Sequence, residues 1–182
     1  YLAHIPHREF LDLSLVYHIR LPDFFPDKRN CIPIREEYVR DWDADGEMLY
    51  QAAMENMQAE GEPVFESLGE TLRDIPGIDI PQSRLGFPLY VLGSQGWKDG
   101  AVQICRQEIM ERVAGFFKSD FWILPSSVHE VLLLPAGQFG EDAQGLAGLV
   151  KEVNDTHLAP EEILSYHVYR YTRLTGEITV AA

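Results

Sequence analysis

Cysteine and long apolar runs are both scarce in this sequence, and each scarcity excludes a class of protein. Two cysteines, Cys31 and Cys105, cannot build a disulfide framework, and neither belongs to a Cys-x-x-Cys zinc motif. No apolar run in the sequence approaches the roughly 18 residues that a membrane-spanning helix needs. We therefore predict a cytoplasmic protein that does not associate with the membrane.

Positive charge is scarce as well, since 15 Lys and Arg oppose 29 Asp and Glu and leave a formal net charge of −14. Clustered Lys and Arg bind phosphate backbones, so we exclude nucleic acid as a partner. The acidic excess is concentrated in residues 36–79, where thirteen Asp and Glu accompany only Arg40 and Arg73. This region is predicted to be either a solvated helical flank or an acidic docking face for a basic protein partner.

The most apolar stretch is residues 120–135, with the sequence DFWILPSSVHEVLLLP. Pro125 cannot donate to a central strand ladder, and Ser126 and Ser127 bond readily to local backbone, so a tight corner is predicted between strands 121–124 and 129–134. The hydrophobic content of 46% in 182 residues is that of a packed globular protein. This pair of strands is therefore predicted to lie at the centre of the fold.

Hydrophobic periodicity places the other elements. Alternation over residues 11–19 predicts one strand with a buried face, and residues 31–34 form its return strand. A short helix over 38–42 and a second over 49–57 follow, with Asp43 or Asp45 as N-cap and Ala52 on the buried face. Residues 64–86 are predicted to be an irregular linking segment, with one helical turn near 67–73.

The second half of the chain is more regular. It is predicted to contain a strand over 88–92, a long helix over 101–116 capped by Asp99, a helix over 146–153, another from Pro160, and a hairpin of strands 167–172 and 177–180. The order ββαα-βα-ββ-αα-ββ indicates an α+β fold with a mainly antiparallel sheet and helices packed on it. We expect residues 1–182 to form a single domain.

The segment DWDADG, which contains Asp41, Asp43, Asp45 and Gly46, matches the start of a calcium-binding loop. Such a loop has carboxylates at positions 1, 3 and 5 and glycine at position 6. Position 12 requires a bidentate Glu, but Ala52 occupies it. Helix capping and surface acidity are therefore the favoured interpretation, and calcium binding is the alternative.

Two other groups contain residue types that could carry chemistry. Ser126, Ser127, His129 and Glu130 supply nucleophile, base and orienter types within five residues, but neighbours on a strand point to opposite faces, and no G-x-S-x-G motif is present. His4, His7 and His18, with Asp12, are metal-ligand types at loose spacing. Asp12 and His18 are also predicted to share the less apolar face of strand 11–19.

Four segments distributed between residues 5 and 171 carry a family resemblance: IPHREFLDLSLVY, the junction from PLYVLGS to GAVQI, ILPSSVHEVLLLP, and EVNDTHLAPEEILSYHVYRY. They resemble domain-of-unknown-function family 5688, an uncharacterised bacterial family of gut clostridia. The element order is distantly similar to a second uncharacterised family of bacilli. The resemblance implies a cytoplasmic bacterial protein and, because members usually carry a further N-terminal region, the C-terminal portion of a longer chain. It implies no catalytic or cofactor-binding residues.

The sequence thus favours a non-enzymatic interaction or regulatory module that uses its acidic helical region. One alternative is a hydrolase or metal-dependent enzyme that uses Asp12, His18 and His129. The second alternative is a small-ligand-binding domain. No cofactor is predicted.

Overall fold

The computed structural model describes residues 2–21, 31–73, 88–96, 98–125, 127–139 and 141–182. These residues group into two compact units, Tyr1–Gly61 and Glu62–Ala182, and each unit is described by itself. That the chain forms a single domain stays a prediction. Residues 74–86 of the predicted linking segment lie outside the described residues, as do the predicted turn at 22–30 and Ser126.

The first unit contains short strands followed by two helices. Its elements are a 3₁₀ helix at Leu2–His4, β1 His7–Phe10, β2 Leu13–Val16, β3 His18–Arg20, β4 Cys31–Pro33, α1 Glu36–Asp41 and α2 Gly46–Ala59. β1 pairs with β2 and β3 pairs with β4, both antiparallel. Tyr17, Ile34 and Val39 form a small buried core, against which Leu49 and Ala53 of α2 pack.

The prediction of one strand over 11–19 is wrong. The chain turns at Leu11 and Asp12, where Leu11 has a left-handed φ of 56°, and the flanking strands fold onto each other with Phe10 opposite Leu13. Tyr17 then separates β2 from β3. Alternating sequence is compatible with two short strands of different pairing, because the period of two says nothing about where a strand ends.

The second unit is built on an antiparallel six-stranded sheet. Its strands are β5 Val64–Ser67, β6 Tyr90–Gly93, β7 Phe121–Leu124, β8 Glu130–Pro135, β9 Tyr169–Thr172 and β10 Glu177–Val180. Their order in the sheet is β10-β9-β7-β8-β6-β5, so β7 and β8 are central and β5 and β10 are the edges. The predicted central pair and the predicted terminal hairpin are confirmed.

Helices cover both faces of this sheet. They are a 3₁₀ helix at Gly100–Cys105, α3 Leu68–Arg73, α4 Gln107–Phe117, α5 Ala136–Phe139 and α6 Ala143–His157. Phe117 of α4 packs edge-on against Phe121, with ring centroids 5.7 Å apart, whereas Leu146 and Val150 of α6 join the cluster around Trp122. Because neighbours on a strand point to opposite faces, Phe121 and Trp122 place α4 and α6 on opposite sides of β7.

Three predictions about the second unit are corrected by the structure. The helix predicted over 101–116 is a 3₁₀ helix and α4, separated at Arg106, whose backbone is extended. Asp99 makes no side-chain cap and has a left-handed φ of 52°. Residues 160–162 form a turn rather than a helix, and 64–67 form β5, although the helical turn near 67–73 is confirmed as α3.

The fold class is α+β, with a large antiparallel sheet and several helices, as predicted. Within the described ranges, no helix is both long and apolar enough to cross a bilayer.

Candidate functional site

The first candidate site is formed by exposed carboxylates on α1, on α2 and at the ends of both helices. α2 starts where Asp45 accepts a hydrogen bond from the Met48 backbone N–H at 2.8 Å, as an N-cap should. This confirms Asp45, rather than Asp43, as the predicted cap. We call the following eight exposed residues the acidic helical face: Glu36, Glu37, Asp41, Asp43, Asp45, Glu47, Glu55 and Glu60.

Two large apolar side chains are exposed beside the turn between α1 and α2. Trp42, the C-cap of α1, is 50% exposed, and Met48 in the first turn of α2 is 57% exposed. Trp42 leans on Tyr38, with ring centroids 5.9 Å apart and the planes tilted by 37°. Trp and Met are enriched in the cores of protein interfaces, whereas the carboxylates around them are typical of a rim.

Two arginines from the strands of the first unit pair with the acidic helical face. Arg8 Nη1 donates to Glu47 Oε2 at 2.9 Å, and its guanidinium lies 4.1 Å from the ring centroid of Tyr50. Hydrogen bonds from Gln51 and then Arg8 hold the pKa of Glu47 below its usual range. Arg20 pairs with Glu60. The arginines therefore pair with Glu47 and Glu60 near the two ends of α2. At the α1–α2 turn the exposed carboxylates of Asp41, Asp43 and Asp45 still outnumber the exposed Arg40.

The three aspartates of the candidate calcium loop have different local roles. Asp41 is the last residue of α1, Asp43 has a left-handed φ of 50°, and Asp45 accepts the capping bond from Met48. Ala52 is exposed, so its predicted position on a buried face of α2 is wrong. No group of three or more His, Cys, Asp or Glu side chains is arranged to hold a metal ion in the part of the chain that the structure describes.

The candidate histidine ligands lie on separate elements of the first unit. His4 belongs to the 3₁₀ helix, His7 starts β1 and His18 starts β3, and all three are exposed. His7 Nδ1 lies 2.9 Å from the carbonyl oxygen of Ile5. Asp12 lies in the β1–β2 turn, so it and His18 do not share the face of one strand as predicted. His129, their partner in the enzyme hypothesis, belongs to the second unit.

The second candidate site is the corner between β7 and β8. Ser127 is buried, and its Oγ accepts a hydrogen bond from the backbone N–H of His129 at 3.0 Å. The Asp99 backbone N–H donates to His129 Nδ1 at 3.3 Å, and His129 Nε2 lies 3.8 Å from Glu162 Oε1. The imidazole therefore joins the loop before the 3₁₀ helix to the turn after α6.

These contacts determine whether the His129 imidazole can act as a general base toward a serine hydroxyl. Because Nδ1 accepts from Asp99, the neutral ring carries its proton on Nε2, which faces a carboxylate. A general base for acyl transfer needs a free ring nitrogen directed at the nucleophile. The described contacts of both ring nitrogens are instead with Asp99 and Glu162. Ser127 Oγ accepts from the His129 backbone N–H, and the Ser127 hydroxyl bonds to the carboxylate of Glu130. The contacts of Ser127 and His129 therefore stabilise the connection between β7 and β8.

Glu130 begins β8 beside this corner, and it is partly buried. Burial raises the pKa of Glu130, while a hydrogen bond from Ser127 and the charge of His129 oppose the rise. The structure thus brings Ser127, His129 and Glu130 together, as their spacing requires, while Ser126 lies outside the described residues.

The sequence patterns did not predict that Gly100 and Glu162 contact His129 at the corner between β7 and β8. Gly100 donates its N–H to the His129 carbonyl at 2.8 Å, and a Cβ on Gly100 would lie 2.3 Å from Ser94 N and 2.4 Å from His129 O. The glycine at position 100 is a sequence signal for this contact, because such a close approach between backbones requires a residue without a Cβ. Glu162, 32 positions along the chain from Glu130, offers no local signal at all.

A buried polar network lies next to Gly100 in the 3₁₀ helix. Arg106 is almost fully buried, and it donates through Nε to Glu108 Oε1 at 2.8 Å and through Nη1 to Gln103 Oε1 at 3.3 Å. Gln103 Nε2 in turn donates to Ser94 Oγ at 3.0 Å. This network fixes the join between the 3₁₀ helix and α4, which gives it a structural role.

The fold defines a protein of the α+β class, and its first unit exposes Trp42 and Met48 beside the carboxylates of the acidic helical face. Residues 1–173 of the chain match the family described as "Family of unknown function (DUF5688)". The protein belongs to this family, as its sequence segments indicate. A search of curated proteins and a search of solved structures gave no match.

Proposed function

We propose that this protein is a non-enzymatic interaction module that binds a basic protein partner through the acidic helical face. The observation that carries the proposal is the exposure of Trp42 and Met48, at 50% and 57%, beside a helix turn bordered by carboxylates. Large apolar side chains next to a strongly charged rim are the composition of a docking surface.

Burial and charge would contribute differently to such a complex. Covering an exposed apolar surface stabilises a complex by roughly 25 cal/mol per Å² removed from water. Complementary charge mainly raises the association rate and selects partners of the opposite sign. We therefore assign affinity to Trp42 and Met48 and the preference for basic partners to the surrounding carboxylates.

The test uses a synthetic amphipathic peptide rich in lysine and leucine, titrated into the 182-residue chain by calorimetry. Glu36→Gln, Glu37→Gln and Asp41→Asn are combined in one variant. Its matched control combines Glu152→Gln, Glu161→Gln and Glu177→Gln, three exposed carboxylates of the second unit. Both variants change the net charge by the same amount, so only the position of the charge differs.

We expect the first triple variant to weaken peptide binding about tenfold, and the control variant to weaken it much less. Trp42→Ala should weaken binding at high salt as well as low salt, because contact with an apolar side chain is not screened as charge is. Equal losses for the two triple variants would show that binding follows net charge alone. That result would contradict the proposal.

A cytoplasmic location is part of the same proposal. Cys31 and Cys105 are both free thiols, which suits a reducing compartment. Burial raises the pKa of the Cys105 thiol to about 12, which keeps it protonated and unreactive.

A further inference from the structure

Strand β10 is the last strand at one side of the six-stranded sheet that the structure describes. It pairs with β9 on one side, and no strand among the described residues pairs with its other side. Val180 is 44% exposed, and Glu177 and Thr179 are exposed as well. Natural edge strands are commonly protected by Pro, by charged residues or by bulges. The four residues of β10, EITV, include no Pro or Lys, and their one charged residue, Glu177, lies at the start of the strand.

The ladder with β9 fixes which backbone groups of β10 face outward. Ala181 donates its N–H to the Val168 carbonyl at 2.8 Å, so Ala181 points toward β9. In an antiparallel ladder this orientation alternates, and therefore Thr179 also points toward β9 while Ile178 and Val180 present their N–H and C=O groups outward. These four groups form a short template for another strand.

One register makes this template complementary to itself. If a two-fold axis passes through Thr179, Ile178 lies opposite Val180 of the second copy, and their outward groups can form four hydrogen bonds. The two Thr179 side chains then face each other, and Glu177 lies opposite Ala181. β-Branched residues opposite one another favour strand pairing, and no like charges are opposed.

We propose that β10 pairs antiparallel with β10 of a second copy of this chain, across a two-fold axis at Thr179. Two six-stranded sheets then become one continuous sheet. A symmetric pair of this kind uses the same patch on both copies and closes after two. This proposal is independent of the acidic helical face, which belongs to the other unit.

The first test introduces a charge at Thr179, on the proposed axis. Analytical ultracentrifugation over a concentration series then measures dimer formation. We expect the wild-type chain to show a monomer–dimer equilibrium. Thr179→Lys and Thr179→Glu each place like charges opposite one another and should raise the dimer dissociation constant by about tenfold or more. An equimolar mixture of the two variants should form a heterodimer, because the opposed charges are then complementary.

The second test is a disulfide placed across the axis. In the proposed register the two Cα atoms at 179 form a non-hydrogen-bonded pair about 4.5 Å apart, at the near end of the range a disulfide spans. Thr179→Cys should therefore give a covalent dimer under mild oxidation. Glu177→Cys is the matched control, because its two copies would be offset by four residues, about 13 Å along the strand.

Each result decides for or against the pairing. A wild-type chain that stays monomeric throughout the series overturns the proposal. So does a dimer that both charge variants leave intact, since its interface must lie elsewhere. If the mixed variants do not associate, or if Glu177→Cys crosslinks as readily as Thr179→Cys, the register at Thr179 is wrong. Circular dichroism of each variant establishes that the monomer remains folded.

Discussion

Arg170 of β9 donates through Nη2 to Asp120 Oδ2 at 3.0 Å and so ties β9 to the residue that precedes β7. The other carboxylate oxygen of Asp120 accepts the Arg173 backbone N–H at 2.9 Å. The Arg170 guanidinium also lies 5.3 Å from the ring centroid of Trp122. Asp120 therefore binds both β9 and the start of the turn between β9 and β10.

Asp120→Asn should lower the free energy of unfolding by about 1–2 kcal/mol at neutral pH, because bonds to a charged acceptor are replaced by weaker ones. The backbone N–H of Arg173, and then the Arg170 guanidinium, hold the pKa of Asp120 below its usual range. A lowered folded-state pKa stabilises the fold above the unfolded-state pKa, and this contribution disappears as the pH falls through the folded-state pKa.

Urea denaturation at a series of pH values measures this difference between wild type and Asp120→Asn. The difference should be constant near neutrality and shrink below about pH 4, the usual range for aspartate. Glu152→Gln, an exposed acid on α6, is the control and should show almost no difference. A deficit of Asp120→Asn that persists unchanged at the lowest pH would contradict the ionic account.

Gly100→Ala should destabilise the second unit by about 3 kcal/mol. Its Cβ would meet the backbone of Ser94 and His129, which adjoin β6 and β8, so the backbone next to these strands would have to shift. Gly148→Ala on α6 is the control, since a Cβ there meets nothing within 4 Å and alanine favours the helix by roughly 0.5–1 kcal/mol. Thermal unfolding compares the two, and equal effects would refute the close approach at Gly100.

Glu130→Gln should show the opposite pH dependence to Asp120→Asn. Burial raises the pKa of Glu130, so its folded state binds a proton more tightly than its unfolded state. That contribution to stability is fully present below the unfolded-state pKa and is lost as the pH rises through the folded-state pKa. The variant should therefore be more stable than wild type at neutral pH and equal to it in acid, as read by melting temperature. A neutral-pH loss of stability would contradict this assignment.

Asp45→Ala should cost about 1 kcal/mol, because it removes the N-cap bond to Met48. Asp41→Ala is its control and should leave stability unchanged or slightly raise it, since a negative charge at the end of α1 opposes the helix dipole. Chemical denaturation measures both.

A calcium titration tests the alternative interpretation of this turn. A calcium-dependent rise in melting temperature, abolished by Asp43→Asn, would support the calcium loop in place of simple capping.

Local sequence predicted the elements whose signals are short-range. The corner after β7 follows from Pro125 between two apolar runs, and the helix cap follows from Asp45 just before Gly46. The terminal hairpin follows from the turn at Gly176, where a φ of 72° suits glycine. In each case the residues that decide the structure are neighbours along the chain.

Local sequence failed at two places where the hydrophobic pattern fits more than one structure and packing decides between them. The turn at Leu11 is forced by the pairing of β1 with β2, although leucine rarely adopts a positive φ. The break at Arg106 accompanies a buried guanidinium that Gln103 and Glu108 satisfy. A continuous helix over 101–116 was the better local choice, and burial of these polar groups in the tertiary structure overrode it.

The sequence by itself thus determined the α+β class, the central strands β7 and β8, and the acidic character of α1 and α2, because composition, period and capping act within a few residues. The tertiary structure alone decided that Trp42 and Met48 are exposed, that the His129 imidazole accepts from the Asp99 backbone rather than from a serine hydroxyl, and that β10 is the last strand at one side of the described sheet. Those properties depend on which segments become neighbours after folding, and sheet order is set by packing between segments far apart in the chain.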